Sequence, residues 1–214
     1  PGEPLGPDQI ISSNSIGLAA FVQANGGVPI NLGIAKDDPD SLREILATIT
    51  GTDMLVTIGG ASVGDYDLVK TVLGEEGLDI TFSRVAMRPG KPLIFGKING
   101  IPMLGLPGNP VSAGVTAALF LRPAISKMLG AEDTTHVTET AVLGLDLAEN
   151  DKRQDYIRAT LTIGGDGALT ATPFDRQDSS MLARFAEADC LVIRAPFAEP
   201  IKAGERVEII RLDG

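Results

Sequence analysis

Helical and strand-like spacings of apolar residues alternate along the first two-thirds of the chain. Ser13 and Asn14 predict the start of a helix running through Phe21, with Gly26-Gly27 as its stop. Val28 to Ile34 reads as a strand. Asp38-Pro39 supplies an N-cap and a first-turn proline, and Leu42, Ile45, Leu46 and Ile49 then recur at helical spacing. Met54 to Ile58 is a short apolar run suited to a buried parallel strand. The glycine-rich loop Gly59 to Asp65 follows, and Asp65 is placed to cap a helix carrying Leu68, Val69, Val72 and Leu73. Leu93 to Phe95 and Met103 to Leu106 read as strands, with Asn99-Gly100 between them as a hairpin signal. A helix runs from Pro110 to about Leu129, interrupted and kinked at Pro123 and stopped by Gly130. The pattern predicts an α/β domain over residues 1–135, with a largely parallel sheet plus an antiparallel hairpin.

Beyond about residue 135 the spacing changes to short strands. Val137 to Leu147, Tyr156 to Ile163, Leu169 to Thr172, Leu191 to Ile193 and Val207 to Leu212 are separated by turn signals such as Gly164-Gly165-Asp166-Gly167. Met181, Leu182, Phe185 and Ala186 suggest one short helix. A small β-barrel or sandwich over residues 136–214 follows from this spacing.

Composition narrows the classes of function. The chain has 214 residues, 43% of them apolar and 21% charged, as in ordinary soluble globular proteins. A net charge of −10 argues against broad nucleic-acid or anionic-membrane binding. No apolar run approaches the roughly 20 residues of a membrane span. One cysteine, Cys190, excludes an internal disulfide and fits a reducing cytoplasm; it lies in an apolar run and reads as core packing. With His136 as the single histidine, zinc chemistry is disfavoured, and His136 reads as a surface residue at the inter-domain junction. Any metal is expected to be a hard one bound by oxygen. The chain begins at Pro1 rather than Met, which reads as the edge of a fragment.

Candidate chemistry concentrates in two proline-glycine turns. Arg88-Pro89-Gly90-Lys91-Pro92 predicts a type II turn that brings Arg88 and Lys91 together. Two adjacent cations repel, and an anion between them relieves that cost. Leu106-Pro107-Gly108-Asn109-Pro110 ends in an N-cap and a first-turn proline, so a helix start with free N–H groups faces the same kind of ligand, and Ser112 lies in its first turn. The Gly59–Asp65 loop follows a strand and precedes a helix, where α/β sheets bind ligands. It is not a P-loop and lacks dinucleotide spacing, and a tight structural turn explains it equally well. Asp65 and Asp67 could bind Mg²⁺, and Asp65 could equally be a plain helix cap. These residues point to a small anionic, phosphate-like ligand.

Taken together the segments resemble the molybdopterin molybdenumtransferase family, of the MoeA and gephyrin E-domain type. Gly59-Gly60-Ala61-Ser62-Val63-Gly64-Asp65-Tyr66-Asp67 is similar to the family's glycine-rich pterin loop. Arg88-Pro89-Gly90-Lys91-Pro92 resembles its Lys-Pro-Gly-Lys-Pro turn, and Leu106-Pro107-Gly108-Asn109-Pro110-Val111-Ser112 matches its Leu-Pro-Gly-Asn-Pro-Val-Ser segment. Gln9-Ile10 and Ser13-Asn14 fit the opening of the pterin-binding domain. Arg153 with Tyr156-Ile157-Arg158 matches an Arg-x-x-aromatic-x-Arg pattern, and Gln177-x-Ser179-Ser180 matches a Gln-x-Ser.

The resemblance implies insertion of molybdenum from molybdate into adenylylated molybdopterin, with release of AMP and help from Mg²⁺. It implies a three-layer α/β/α domain followed by a small β-barrel, and a homodimer in the full-length, cytoplasmic protein. By the same resemblance Gly59, Gly60, Ser62, Gly64, Pro107, Gly108 and Asn109 hold the pterin ligand. Arg88, Lys91, Pro92, Ser112, Arg153 and Ser179 hold molybdate. Asp65, Asp67 and Lys91 carry the chemistry, with the two aspartates holding Mg²⁺. Guanidinium, ammonium and hydroxyl groups suit a doubly charged tetrahedral oxyanion. The sequence departs from the pattern in having Arg88 for a lysine, Ser12 where Asp is frequent, and Asp178 beside Ser179. The family's full-length proteins carry two further upstream domains, so the piece is expected to bind ligand without turning over. Two alternatives are a MogA-type molybdopterin adenylyltransferase, against which the β-rich second domain speaks, and a non-catalytic pterin-binding or scaffold module.

Overall fold

The structure is a computed structural model that describes residues 13–36, 38–59, 68–165 and 167–212, the side chains of 68–70 excepted. The first part of the chain holds helices α1 (Asn14–Ala24), α2 (Pro39–Ala47) and α3 (Leu68–Glu75) and strands β1 (Leu55–Ile58), β2 (Leu78–Phe82), β4 (Ile94–Ile98) and β5 (Ile101–Leu106). Local signals act as expected. Asp38 accepts a hydrogen bond from the Ser41 amide and Pro39 opens α2. Asn99 (φ 49°) and Gly100 (φ 83°) form a two-residue hairpin that pairs Ile98 with Ile101.

Strand order in this sheet is β1-β5-β4-β2. The β1–β5 pair is parallel, whereas β4–β5 and β2–β4 are antiparallel. Among the described residues the sheet holds the expected parallel pair and antiparallel hairpin, and β2 adds a second antiparallel pair where mostly parallel pairing was expected. Val28 to Ile34, expected as a strand, takes no strand pairing among the described residues, and Val28, Ile30 and Ile34 are exposed. A strand needs a neighbouring ladder, and among the described residues β1 pairs with β5 alone. Leu32 alone from this segment reaches the core.

Apolar clusters cover both faces of the sheet. Leu18, Leu93, Leu104, Leu106, Ala117 and Leu121 form one; Leu55, Leu73, Leu78, Ile94 and Met103 form the other. Each fully buried leucine is worth about 1.5–3 kcal/mol relative to exposure.

The predicted long helix is in three pieces: α4 (Pro110–Thr116), a π-helical turn over Ala117–Leu121, and α5 (Arg122–Met128). Gly130, with φ of 93°, ends it. The Pro123 interruption is thus absorbed by a wider turn just before the proline.

In the second part lie β6 (Glu139–Leu143), β7 (Gln154–Ile163), β8 (Leu169–Pro173), α6 (Leu182–Ala186), β9 (Cys190–Arg194) and β10 (Arg206–Arg211). The order β7-β8-β6-β10-β9 closes through a β7–β9 pairing, giving a barrel rather than a sandwich. Cys190 is fully buried in its core with Ala159, Ala171 and Val192. Short β3 (Met87–Arg88), not foreseen from sequence, joins the barrel by running parallel to β7.

Barrel and α/β part meet over an apolar seam of Met87, Val111, Val115, Leu119, Leu191 and Ile210. Gly114 makes the approach possible: a Cβ there would lie 2.3 Å from Cε1 of Phe185 on α6. No described helix is long and apolar enough to cross a membrane.

Candidate functional site

Gly59, which opens the glycine loop, and the second proline-glycine turn are brought together backbone to backbone. The Gly59 amide donates to Leu106 O at 2.9 Å, and a Cβ on Gly108 would sit 3.5 Å from the Gly59 Cα. Gly59 has φ of 77°, a conformation that favours glycine. Asn14, at the start of α1, donates its side-chain amide to Gly108 O at 2.7 Å, so two separate segments meet at the Leu106–Pro110 turn.

The barrel completes this edge. Val111 N donates to Ser179 O at 3.2 Å, and Asn109 Nδ2 donates to Ser179 Oγ at 2.8 Å. The sequence left this amide free for an anion; the structure gives it a carbonyl from the barrel. Ser112 is buried at 6% exposure, and its carbonyl accepts from Thr116 Oγ1. Asn109 does not cap α4 with its side chain, which is spent on Ser179 instead.

Behind Ser179 stands Arg158, a fully buried arginine. Its amide and Nε donate to Gln177 Oε1, and Nη2 donates to Asp178 O at 3.0 Å. Burial lowers its pKa from the ordinary arginine value. The Asp178 carboxylate accepts from the Ser180 amide and hydroxyl, both at 2.8 Å, which holds its pKa below the usual range. Arg158 thus fixes the loop that presents Ser179. Sequence reasoning named Arg158 as part of a pattern and did not select it; its place between two apolar barrel positions was the available signal.

In the first proline-glycine turn the Arg88–Pro89 peptide is cis and Gly90 has φ of 112°. The turn packs on α4, where a Gly90 Cβ would meet the Thr116 methyl. Arg88 does not stand free beside Lys91. Its Nε and Nη2 both bond Oδ2 of Asp155, which is buried, and Nη1 lies 3.6 Å from Asp151. The charge that the sequence assigned to an external anion is met from within, by carboxylates on and before β7. Asn150 Oδ1 accepts from Arg88 Nη2 at 3.3 Å. Lys91, exposed, has no carboxylate partner among the described residues, and Pro92 is half-buried.

Arg153 pairs with Asp151 at 2.8 Å. That hydrogen bond, with the Arg153 amide, pulls the Asp151 pKa down to about 2. Arg88, Arg153, Asp151 and Asp155 therefore make a charge-balanced cluster beside the turn.

Gly60, Ser62, Gly64, Asp65 and Asp67 lie outside the described residues, and so does the expected Mg²⁺ site. Among the described residues no group of three or more His, Cys, Asp or Glu side chains gathers to hold a metal. A groove of about 450 Å³ between α1, α4 and α6 is lined by Phe21, Ala113, Ala117, Leu182 and Phe185; being apolar, it is unsuited to an oxyanion.

Fold and site define an α/β unit joined to a closed β-barrel, with one edge shared between them. Residues 2–127 match the family described as a probable molybdopterin binding domain, and residues 140–212 match the MoeA C-terminal region (domain IV). The chain belongs to this MoeA-type family, as its C-terminal portion. It is 37% identical over 217 residues to a molybdopterin molybdenumtransferase of Nostoc sp., covering 98% of this chain and 49% of that protein. A molybdopterin molybdenumtransferase of Bacillus subtilis is 31% identical, with 97% of this chain and 48% of that one covered. The crystal structure of the molybdopterin biosynthesis MoeA protein from Pyrococcus horikosii superposes with a TM-score of 0.83 at 31% identity, over 100% of this chain and 51% of that one. The chain thus spans about half the length of the curated relatives it matches.

Proposed function

We propose that this chain forms the pterin- and molybdate-binding half of a molybdenum-cofactor synthesising enzyme, which inserts molybdenum from molybdate into adenylylated molybdopterin and releases AMP. The observation that carries the reading is the convergence of Asn14, Gly59, the Pro107–Pro110 turn and Ser179 at one edge. The Gly59 to Gly64 loop and the Pro107-Gly108-Asn109 turn would hold the pterin ligand. Lys91 would supply the charge for the oxyanion. Arg88, its charge met by Asp155 and Asp151, borders the same subsite in this reading. Pro92, Ser112, Arg153 and Ser179 border that subsite in this reading. Mg²⁺ is assigned to Asp65 and Asp67 on sequence grounds, and among the described residues no group of three or more His, Cys, Asp or Glu gathers to hold it.

The reading includes residues 1–135 and 136–214 as the two domains and a three-layer α/β/α arrangement for the first. In support, helices cover both faces of the sheet. It also includes a homodimeric, cytoplasmic full-length protein. The match over 140–212 favours this reading over a MogA-type adenylyltransferase.

Titration with tungstate, then single turnover with adenylylated molybdopterin, Mg²⁺ and molybdate, tests the proposal. The chain is expected to bind both ligands, Lys91→Ala to weaken oxyanion binding about tenfold, and added salt to weaken it further. Because the chain covers 49% of its relative, insertion itself is expected only from the longer protein. Equal tungstate affinity with and without Lys91 would remove the anion subsite, and insertion by this chain at the rate of the longer protein would overturn the division of labour.

A further inference from the structure

The π-helical turn, Pro123 and His136 form one device. In an α-helix the carbonyl of residue 119 accepts from the amide of residue 123. Pro123 has no N–H, so that donor does not exist. The turn before it is widened, with the Arg122 amide donating to Ala117 O. At Leu119 O, the acceptor that an amide at residue 123 would meet in the α-helical register resumed by α5, stands Nε2 of His136, 2.7 Å away and seventeen residues further along the chain. A carbonyl only accepts, so the ring nitrogen facing it carries the proton.

The path between them is ordered at each step. Gly130 N donates to Lys127 O and Ala131 N to Ser126 O, which ends α5. The amide and hydroxyl of Thr135 then both bond Asp133 Oδ1, at 2.8 and 2.6 Å, and this turn delivers His136. The same helix is tied to the barrel a second time, where Arg122 Nη2 donates to Leu212 O at 2.9 Å.

We propose that His136 is a positioning residue: its Nε2–H replaces the amide that Pro123 lacks, and in doing so latches the connector between the two domains to the helix that begins at the Pro107–Pro110 turn. The sequence reading of His136 as a plain surface residue is corrected accordingly. The latch sets the point from which β6 and the barrel depart. It is independent of the functional reading above, since it rests on the helix and connector alone.

The arrangement makes two separable claims, carbonyl satisfaction and connector anchoring, and a cycle of His136→Phe and Pro123→Ala separates them. His136→Phe is expected to shift the unfolding equilibrium about tenfold toward the unfolded chain. Pro123→Ala restores an amide at residue 123, so the loss from His136→Phe should be smaller in that background. Amide exchange over residues 131–138 should quicken with His136→Phe in both backgrounds, because the latch is gone in each. In the wild-type chain, ¹⁵N NMR of the single histidine should show the neutral ring protonated at Nε2. A neutral ring protonated at Nδ1, strictly additive effects of the two substitutions, or unchanged exchange in the connector would each overturn the proposal; the ring measurement stands even if a variant fails to fold.

Discussion

Asn109 and Ser179, seventy residues apart, meet through a 2.8 Å hydrogen bond from the Asn109 side-chain amide to the Ser179 hydroxyl. One residue belongs to the turn that opens α4, the other to a barrel loop. The bond is exposed and is reinforced by the Val111 amide on Ser179 O. The two halves of the candidate site are therefore joined at the residues proposed to bind ligand.

Ser179→Ala removes the hydroxyl and keeps the backbone contact. Its expected effect is a small stability loss, about 1 kcal/mol or less for one exposed hydrogen bond. Tungstate affinity should fall several-fold if the hydroxyl borders the oxyanion. Calorimetric titration alongside urea unfolding separates the two effects. A variant that loses stability but binds tungstate as before would assign Ser179 to the domain seam alone.

Arg88 and Asp155 give a second expectation. Asp155 is buried and its Oδ1 has no hydrogen-bond partner among the described side chains, so Oδ2 depends on Arg88. Arg88→Ala is expected to cost about 2 kcal/mol, less than for a fully buried pair because the Arg88 side chain is 48% exposed. Asp155→Asn in the same background should recover part of that loss, since a neutral group is cheaper to bury. Urea unfolding of the four combinations measures it. Unchanged stability in Arg88→Ala would mean that the pair contributes nothing.

These contacts also mark where sequence reasoning ran out. Asp38, Asn99-Gly100, Pro110 and Gly130 act within a few residues of themselves, so capping and turn chemistry revealed them. The motif loops were legible for the same reason. Arg88 meets Asp155 across 67 residues through the parallel β3–β7 pairing, which no local spacing announces. Val28 to Ile34 shows the converse: its composition suits a strand, but pairing is a property of neighbours, and the segment has none among the described residues. Pro123 predicted a break, while the way the break is repaired, by a π-helical turn and a distant histidine, depends on tertiary placement.

Asp151 makes a pH expectation. Its folded pKa of about 2 lies below the ordinary 3.8, mainly because Arg153 donates to it. A carboxylate with a depressed folded pKa stabilises the fold above its unfolded pKa, and that contribution is lost as pH falls through the folded value. The Asp151 share of stability should therefore be complete at pH 5 and above and fade between about pH 4 and pH 2. Asp151→Asn should reduce the acid-side slope of the urea midpoint against pH in that window and leave the neutral side parallel to wild type. An unaltered acid slope would show that the Arg153 pair does not persist in solution.

Asp65 and Asp67 lie in a segment whose sequence places two carboxylates beside a loop read as binding phosphate. Bare carboxylates would repel an adenylylated pterin, and a hard cation between them and the ligand phosphate would remove the conflict. Ligand affinity should therefore rise with Mg²⁺ in the wild-type chain. Asp65→Asn and Asp67→Asn should each weaken that dependence while improving, or leaving unchanged, binding without metal, because each removes a repelling charge. A helix cap would behave differently: Asp65→Asn keeps a capping side chain and would leave the Mg²⁺ response intact. Titration of adenylylated molybdopterin with and without Mg²⁺ distinguishes the two, and a wild-type affinity indifferent to Mg²⁺ would reduce both aspartates to structural roles.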